Sequence, residues 1–121
     1  MSNRNRNAGH AYERKIRNEL KQLGYTDVVT SRSESRNMDN MGVDLFGNSL
    51  PFHVQCKRSK QNLNSFDLIH RENAPNDKPI VIFHDKVVRR GTRLKSLGEF
   101  VTMDKQIFYD IISRLSDGKG V

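Results

Sequence analysis

The longest unbroken apolar run in this chain lies in "KPIVIFH", residues 78 to 84. Four β-branched or aromatic residues in succession show neither the helical period nor the alternation of a half-solvated strand. The run reads as a central strand buried on both faces. Such a strand needs a covering layer on each side, so the chain is expected to build helices around a sheet.

The rest of the sequence supplies those layers. Tyr12, Ile16, Leu20 and Leu23 recur at three- and four-residue intervals, and Gly24 can end the turn, which predicts a helix over 8–23. "YTDVVTSR" predicts a first strand, and "SESRNMDNM" lacks periodicity and predicts a mobile loop. "GVDLFG" and "PFHVQCKR" alternate on either side of Gly47-Asn48-Ser49, the pattern of a hairpin. A short helix is expected around 66–70, and a basic loop or edge hairpin in "DKVVRRGTRLKSLG". A strand at "EFVTM" and an amphipathic helix from the Asp104 cap, ending before Gly118, close the chain. The expected order is αβββ(α)ββα. This is an α/β (α+β) fold with a mixed sheet of about five strands flanked by helices. Residues 1–7 are read as a flexible basic arm, 8–118 as one domain and 119–121 as a tail.

Charge narrows the partner. Lys and Arg total 21 against 14 Asp and Glu, a formal charge of +7 over 121 residues; such a chain favours a polyanion. No apolar run approaches the roughly 20 residues of a spanning helix, so nucleic acid is expected rather than a membrane. The polar start "MSNRNRNAGH" has no apolar signal core, and the expected location is intracellular. With one cysteine and four scattered histidines, a structural zinc site is not expected.

The hairpin carries the chemistry. Alternation turns Phe52, Val54 and Cys56 to one face and His53, Gln55 and Lys57 to the other. Asp44, on the preceding strand, can face Gln55 and Lys57 across the hairpin. A hard divalent cation takes oxygen ligands, here the Asp44 carboxylate, the Gln55 amide oxygen and the Cys56 backbone carbonyl. It would polarise a phosphodiester and acidify a bound water. Lys57 can orient that water or stabilise charge developing on the phosphate. On the first helix Glu13 lies about 60 to 70° from the centre of the apolar face. Glu19 lies at the opposite margin, and geometry alone does not choose between the two acids.

"GHAYERKIRNELKQLGY", "SRSES" and "GVD" followed by "VQCKRSK" resemble the PD-(D/E)XK nuclease superfamily. Within it they resemble the small Holliday junction resolvases of archaea and phages and the related Mrr-type restriction nucleases, over residues 9–85. The resemblance implies a restriction-endonuclease-like fold and selects Glu13, followed by Arg14, over Glu19. It also implies Glu13, Asp44, Gln55 and the Cys56 carbonyl as ligands for Mg²⁺ or Mn²⁺, with Lys57 assisting catalysis. Archaeal resolvases usually carry Glu where this chain has Gln55, whereas Mrr-like nucleases commonly carry Gln. Val43 replaces the proline that precedes the family's Asp.

The implied activity is structure-selective cleavage of branched DNA by a homodimer, in the cytoplasm of a bacterium or a phage-infected host. The alternatives are a non-catalytic nucleic-acid-binding protein on the same fold and a restriction-type duplex endonuclease. Expected DNA contacts are Arg4, Arg6, Arg14, Ser31, Arg32, Ser33, Arg58, Lys60, Arg89, Arg90 and Arg93, with Lys86 and Lys95 in the same basic runs. Asp39 is a further acid in the loop. Cys56 is expected to pack in the core, and few aromatics are free to stack on bases.

Overall fold

The structure is a computed structural model describing residues 3–119. Five helices and five strands follow in the order α1 (Asn3–Gln22), β1 (Val29–Thr30), α2 (Ser31–Glu34), α3 (Arg36–Asn40), β2 (Leu45–Phe46), β3 (His53–Ser59), α4 (Ser65–Ile69), β4 (Ile80–Arg90), β5 (Arg93–Thr102) and α5 (Lys105–Lys119). The strands form one sheet in sequence order, β1-β2-β3-β4-β5. Only β3 and β4 run parallel, and the other neighbours are antiparallel. The architecture is the expected α/β arrangement of a five-stranded mixed sheet flanked by helices.

Tyr12, Ile16 and Leu20 of α1 pack on Val28, Leu45, Leu50 and Val54, and Phe52, Cys56 and Phe83 border this core. The side chains at 52, 54 and 56 therefore face α1, as alternation requires. On β4, Val81 and Phe83 pair with Val54 and Cys56, while Ile80 and Ile82 pair with His53 and Gln55 on the opposite face. Ile80, Val81 and Ile82 are all at most 2% exposed, so the strand is buried on both faces. Burying each of these side chains contributes about 1.5 to 3 kcal/mol. α4 packs against β4.

Several boundaries depart from expectation. The first strand shortens to Val29–Thr30 because Ser31 already opens α2, and β2 shortens to Leu45–Phe46, so Asp44 stands before the strand and not on it. α1 begins at Asn3, because no proline or glycine interrupts the polar segment before Gly9; residues 3–7 continue the helix instead of forming an arm. The segment expected as a loop folds into α2 and α3, and the Ser35 hydroxyl caps α3 by accepting from the Met38 amide at 3.3 Å. The basic segment and "EFVTM" join into one long hairpin whose turn places Gly91 at φ 62°, a conformation that glycine adopts without a Cβ clash. α5 runs through Gly118 to Lys119.

The hairpin between β2 and β3 is held from outside. The Lys78 ammonium donates to the carbonyls of Gly47 at 2.9 Å and Leu50 at 2.8 Å. The Asp27 carboxylate accepts from the Ser49 amide and hydroxyl. A Cβ on Gly47 would lie 2.9 Å from Asp27 Oδ1 and 3.1 Å from its main-chain oxygen. Only glycine lets the loop approach this closely.

Candidate active site

Asp44 stands immediately before β2, where its main chain is fixed on both sides. Its amide donates to the Val54 carbonyl at 2.7 Å, and its carbonyl accepts from the Ser31 amide at 2.8 Å. Its Oδ2 accepts from the Cys56 amide at 2.7 Å, a role a main-chain carbonyl would fill if β2 were longer. The carboxylate is thus held at the strand that carries Gln55 and Lys57. Burial pushes its pKa up; the Cys56 amide and the charges of Lys57 and Arg71 oppose that rise, and Asp39 adds to it.

Glu13 reaches the same place from α1. Its pKa is raised from 4.5 to about 7, first by burial and then by the negative charges of Asp44 and Asp39, with Arg32 and Arg14 opposing. Arg32 Nε lies 3.7 Å from Glu13 Oε1, and the Glu13 side chain is 15% exposed. Two carboxyl groups from separate elements are therefore brought together where water is scarce. Mutual repulsion and desolvation make this arrangement costly to the fold.

Gln55 is 4% exposed, and its Oε1 is buried without a hydrogen-bond partner. A buried acceptor left unpaired costs about 1 to 3 kcal/mol. Lys57 shares its face of β3 and is half-buried. Cys56 turns the other way and borders the core. Burial, with Asp44 and Glu13 nearby, pushes its thiol well above the ordinary range, which removes it as a nucleophile.

Among the described residues, no three His, Cys, Asp or Glu side chains form a metal cluster on their own. The carboxylates of Glu13 and Asp44 are oxygen donors of the kind a hard cation takes, whereas alternation turns Gln55, whose Oε1 is buried without a partner, to the face of β3 opposite α1 and so away from Glu13. Of the expected ligands Glu13, Asp44, Gln55 and the Cys56 carbonyl for Mg²⁺ or Mn²⁺, Glu13 and Asp44 are the pair that act on one another electrostatically.

The expected DNA contacts separate into groups. Arg14, Arg32, Lys60, Arg89, Arg90, Arg93 and Lys95 are exposed. Arg58 is drawn to Asp85 at 3.5 Å, and Lys86 donates to the Lys60 carbonyl and to Asn62. Ser31 is fully buried, so its hydroxyl presents nothing to a phosphate; its amide instead positions Asp44. Ser33 is exposed but bonds back to Thr30. The side chains of Arg4 and Arg6 lie outside the described residues.

Arg71 was not legible as a site residue. It acts on Asp44 and lies against Gly42, where φ is 82° and a Cβ would collide with the guanidinium. It comes from the segment after α4, and no local pattern links it to Asp44. No protein-family model, curated protein or solved structure matches the chain.

Proposed function

We propose that this protein is a divalent-metal-dependent DNA endonuclease of the PD-(D/E)XK type, acting on branched DNA in the manner of a Holliday junction resolvase. The observation that carries the reading is that Asp44 feels the charge of Lys57 and itself acts on the desolvated Glu13. Two acids crowded into a desolvated corner are a liability to folding, and a bound cation would convert it into an asset. When bound, Mg²⁺ would polarise the phosphodiester and lower the pKa of a water.

The protein's own groups divide the remaining tasks. The Cys56 amide aims Asp44. Lys57 orients the attacking water or stabilises charge developing on the phosphate. Arg71, next to Asp44, adds positive charge where the phosphate would lie. The long β4–β5 hairpin carries Arg89, Arg90 and Arg93 toward its tip, and six residues of strand beyond His84 extend about 20 Å. Those cations would grip backbone phosphates flanking the cut.

Paired cuts across a junction call for two copies related by a two-fold axis. Phe108, Ile112 and Leu115 are 50%, 42% and 60% exposed. Their three- and four-residue spacing makes one stripe along α5, on which we place the second copy. No helix among the described residues is long and apolar enough to cross a membrane.

The neutral Gln55, and the lack among the described residues of a cluster of three acidic, His or Cys side chains, favour the second reading, a DNA-binding protein that has lost catalysis. Incubating the protein with a labelled four-way junction and a matched duplex, with Mg²⁺ or Mn²⁺, separates the possibilities. The resolvase reading expects paired nicks in the junction and little cutting of the duplex. Equal cutting of both points to a duplex nuclease, and binding without cutting in either metal points to the non-catalytic protein.

A further inference from the structure

The face of the sheet that carries Lys57 continues beyond the candidate active site. Lys57 pairs with His84 on β4, and His84 pairs with Phe100 on β5, so the three side chains form one cross-strand row. Neighbouring strands lie about 4.8 Å apart, which puts Phe100 on the order of 10 Å from Lys57. Phe100 is 57% exposed, although it sits in a strand. Beside it opens a cleft of about 330 Å³, whose lining includes Asn62, Ser65, His84, Lys86, Phe100 and Thr102. That volume is at the small end for ligand sites.

The polar groups in this cleft have defined roles. His84 Nε2 lies 3.3 Å from the Ser59 carbonyl. A carbonyl can only accept, so this nitrogen carries a proton and donates. The Lys86 ammonium donates to Asn62 Oδ1 at 3.1 Å and to the Lys60 carbonyl at 2.6 Å. The Asn62 amide is thereby oriented with its NH₂ as the donor. The cleft combines an exposed aromatic ring, the Asn62 NH₂ donor, the His84 imidazole, two hydroxyls and an ammonium. Those groups match a planar heterocycle attached to a phosphate.

We propose that this cleft receives one unstacked nucleobase of the strand held at the candidate active site, with Phe100 as its stacking platform and Asn62 and His84 at its polar edge. The inference rests on the reading of the protein as a DNA-binding enzyme and adds a specificity element to it. A base next to a branch point is the easiest to unstack, so the cleft would favour branched over continuous duplex DNA.

Equilibrium binding in EDTA tests this separately from cleavage. Fluorescence anisotropy would compare a four-way junction carrying one unpaired adenine at the branch point with the same junction carrying an abasic site there. Wild-type protein is expected to bind the intact base about 5- to 100-fold more tightly. Phe100→Leu keeps an apolar side chain and removes the ring, so it should bind both DNAs at the abasic level, whereas Phe100→Tyr should retain the preference. An unchanged thermal midpoint in Phe100→Leu would show that the fold is intact. Equal wild-type affinity for the two DNAs overturns the proposal, as does a preference that survives Phe100→Leu. Cleavage without base discrimination defeats this inference and leaves the nuclease reading standing; discrimination without cleavage does the reverse. Failure to bind either DNA defeats both.

Discussion

Replacing Glu13 by Gln should stabilise the protein above neutral pH while removing a group its proposed activity needs. Burial and the charges of Asp44 and Asp39 raise the Glu13 pKa from 4.5 to about 7. The folded state therefore binds this proton more tightly than the unfolded chain does. Stability is highest below about pH 4.5, falls as pH rises toward 7, and levels off above that. At pH 8 the ionised carboxylate costs on the order of 3 kcal/mol, and at pH 4.5 less than about 0.5 kcal/mol. The side chain remains 15% exposed, and solvent screening reduces the usable effect to about 1 to 3 kcal/mol. For a domain of this size that corresponds to a rise in Tm of about 4 to 12 °C.

Urea or thermal unfolding of wild-type and Glu13→Gln protein at pH 4.5 and pH 8, without divalent cation, measures the difference. Glu13→Gln should be the more stable at pH 8 and nearly equal at pH 4.5. Adding Mg²⁺ at pH 8 should stabilise wild type more than the variant. A variant that is less stable at pH 8, or a difference independent of pH, would refute the reasoning. It would mean that Arg32 or solvent already satisfies the carboxylate.

Other outcomes follow from the same geometry. Gln55→Glu places a carboxylate among the proposed ligands and should tighten Mg²⁺ binding at least several-fold by calorimetry, at some loss of stability without metal. Replacing Arg89, Arg90 and Arg93 together by Ala should leave stability within about 0.5 kcal/mol. The same change should flatten the dependence of log K on log salt by up to about 3 in slope, read by anisotropy on junction DNA. If the proposed dimer forms through α5, Ile112→Asp should shift it to a monomer in sedimentation velocity with little change in Tm, because the side chain is 42% exposed.

Elements with strong periodic patterns were the legible ones. Tyr12, Ile16 and Leu20 marked the face of α1 that packs on the sheet, and the Ile80–Phe83 run marked β4. Alternation put Val54 and Cys56 on the α1 side and left Gln55 and Lys57 on the other. What escaped the sequence depends on short-range caps or distant contacts. α3 needs the Ser35 hydroxyl to accept from Met38, a single hydrogen bond in a stretch without hydrophobic period. The burial of Ser31 follows from its amide bond to Asp44. Arg71 reaches Asp44 only after the chain has turned through α4. Phe100 looked like one more residue of a strand, and its exposure emerges only from the position of β5 at the sheet edge.

Metal-dependent cleavage by Asp44→Asn, set beside its DNA binding, tests the central claim most directly. The substitution keeps an oxygen to accept from the Cys56 amide and removes the charge. With Mg²⁺ or Mn²⁺ and a labelled four-way junction, wild type should introduce nicks. Asp44→Asn should bind the junction with similar affinity and cut it at least about a hundredfold more slowly. Undiminished cutting by Asp44→Asn, or no cutting by wild type in either metal, would contradict the account.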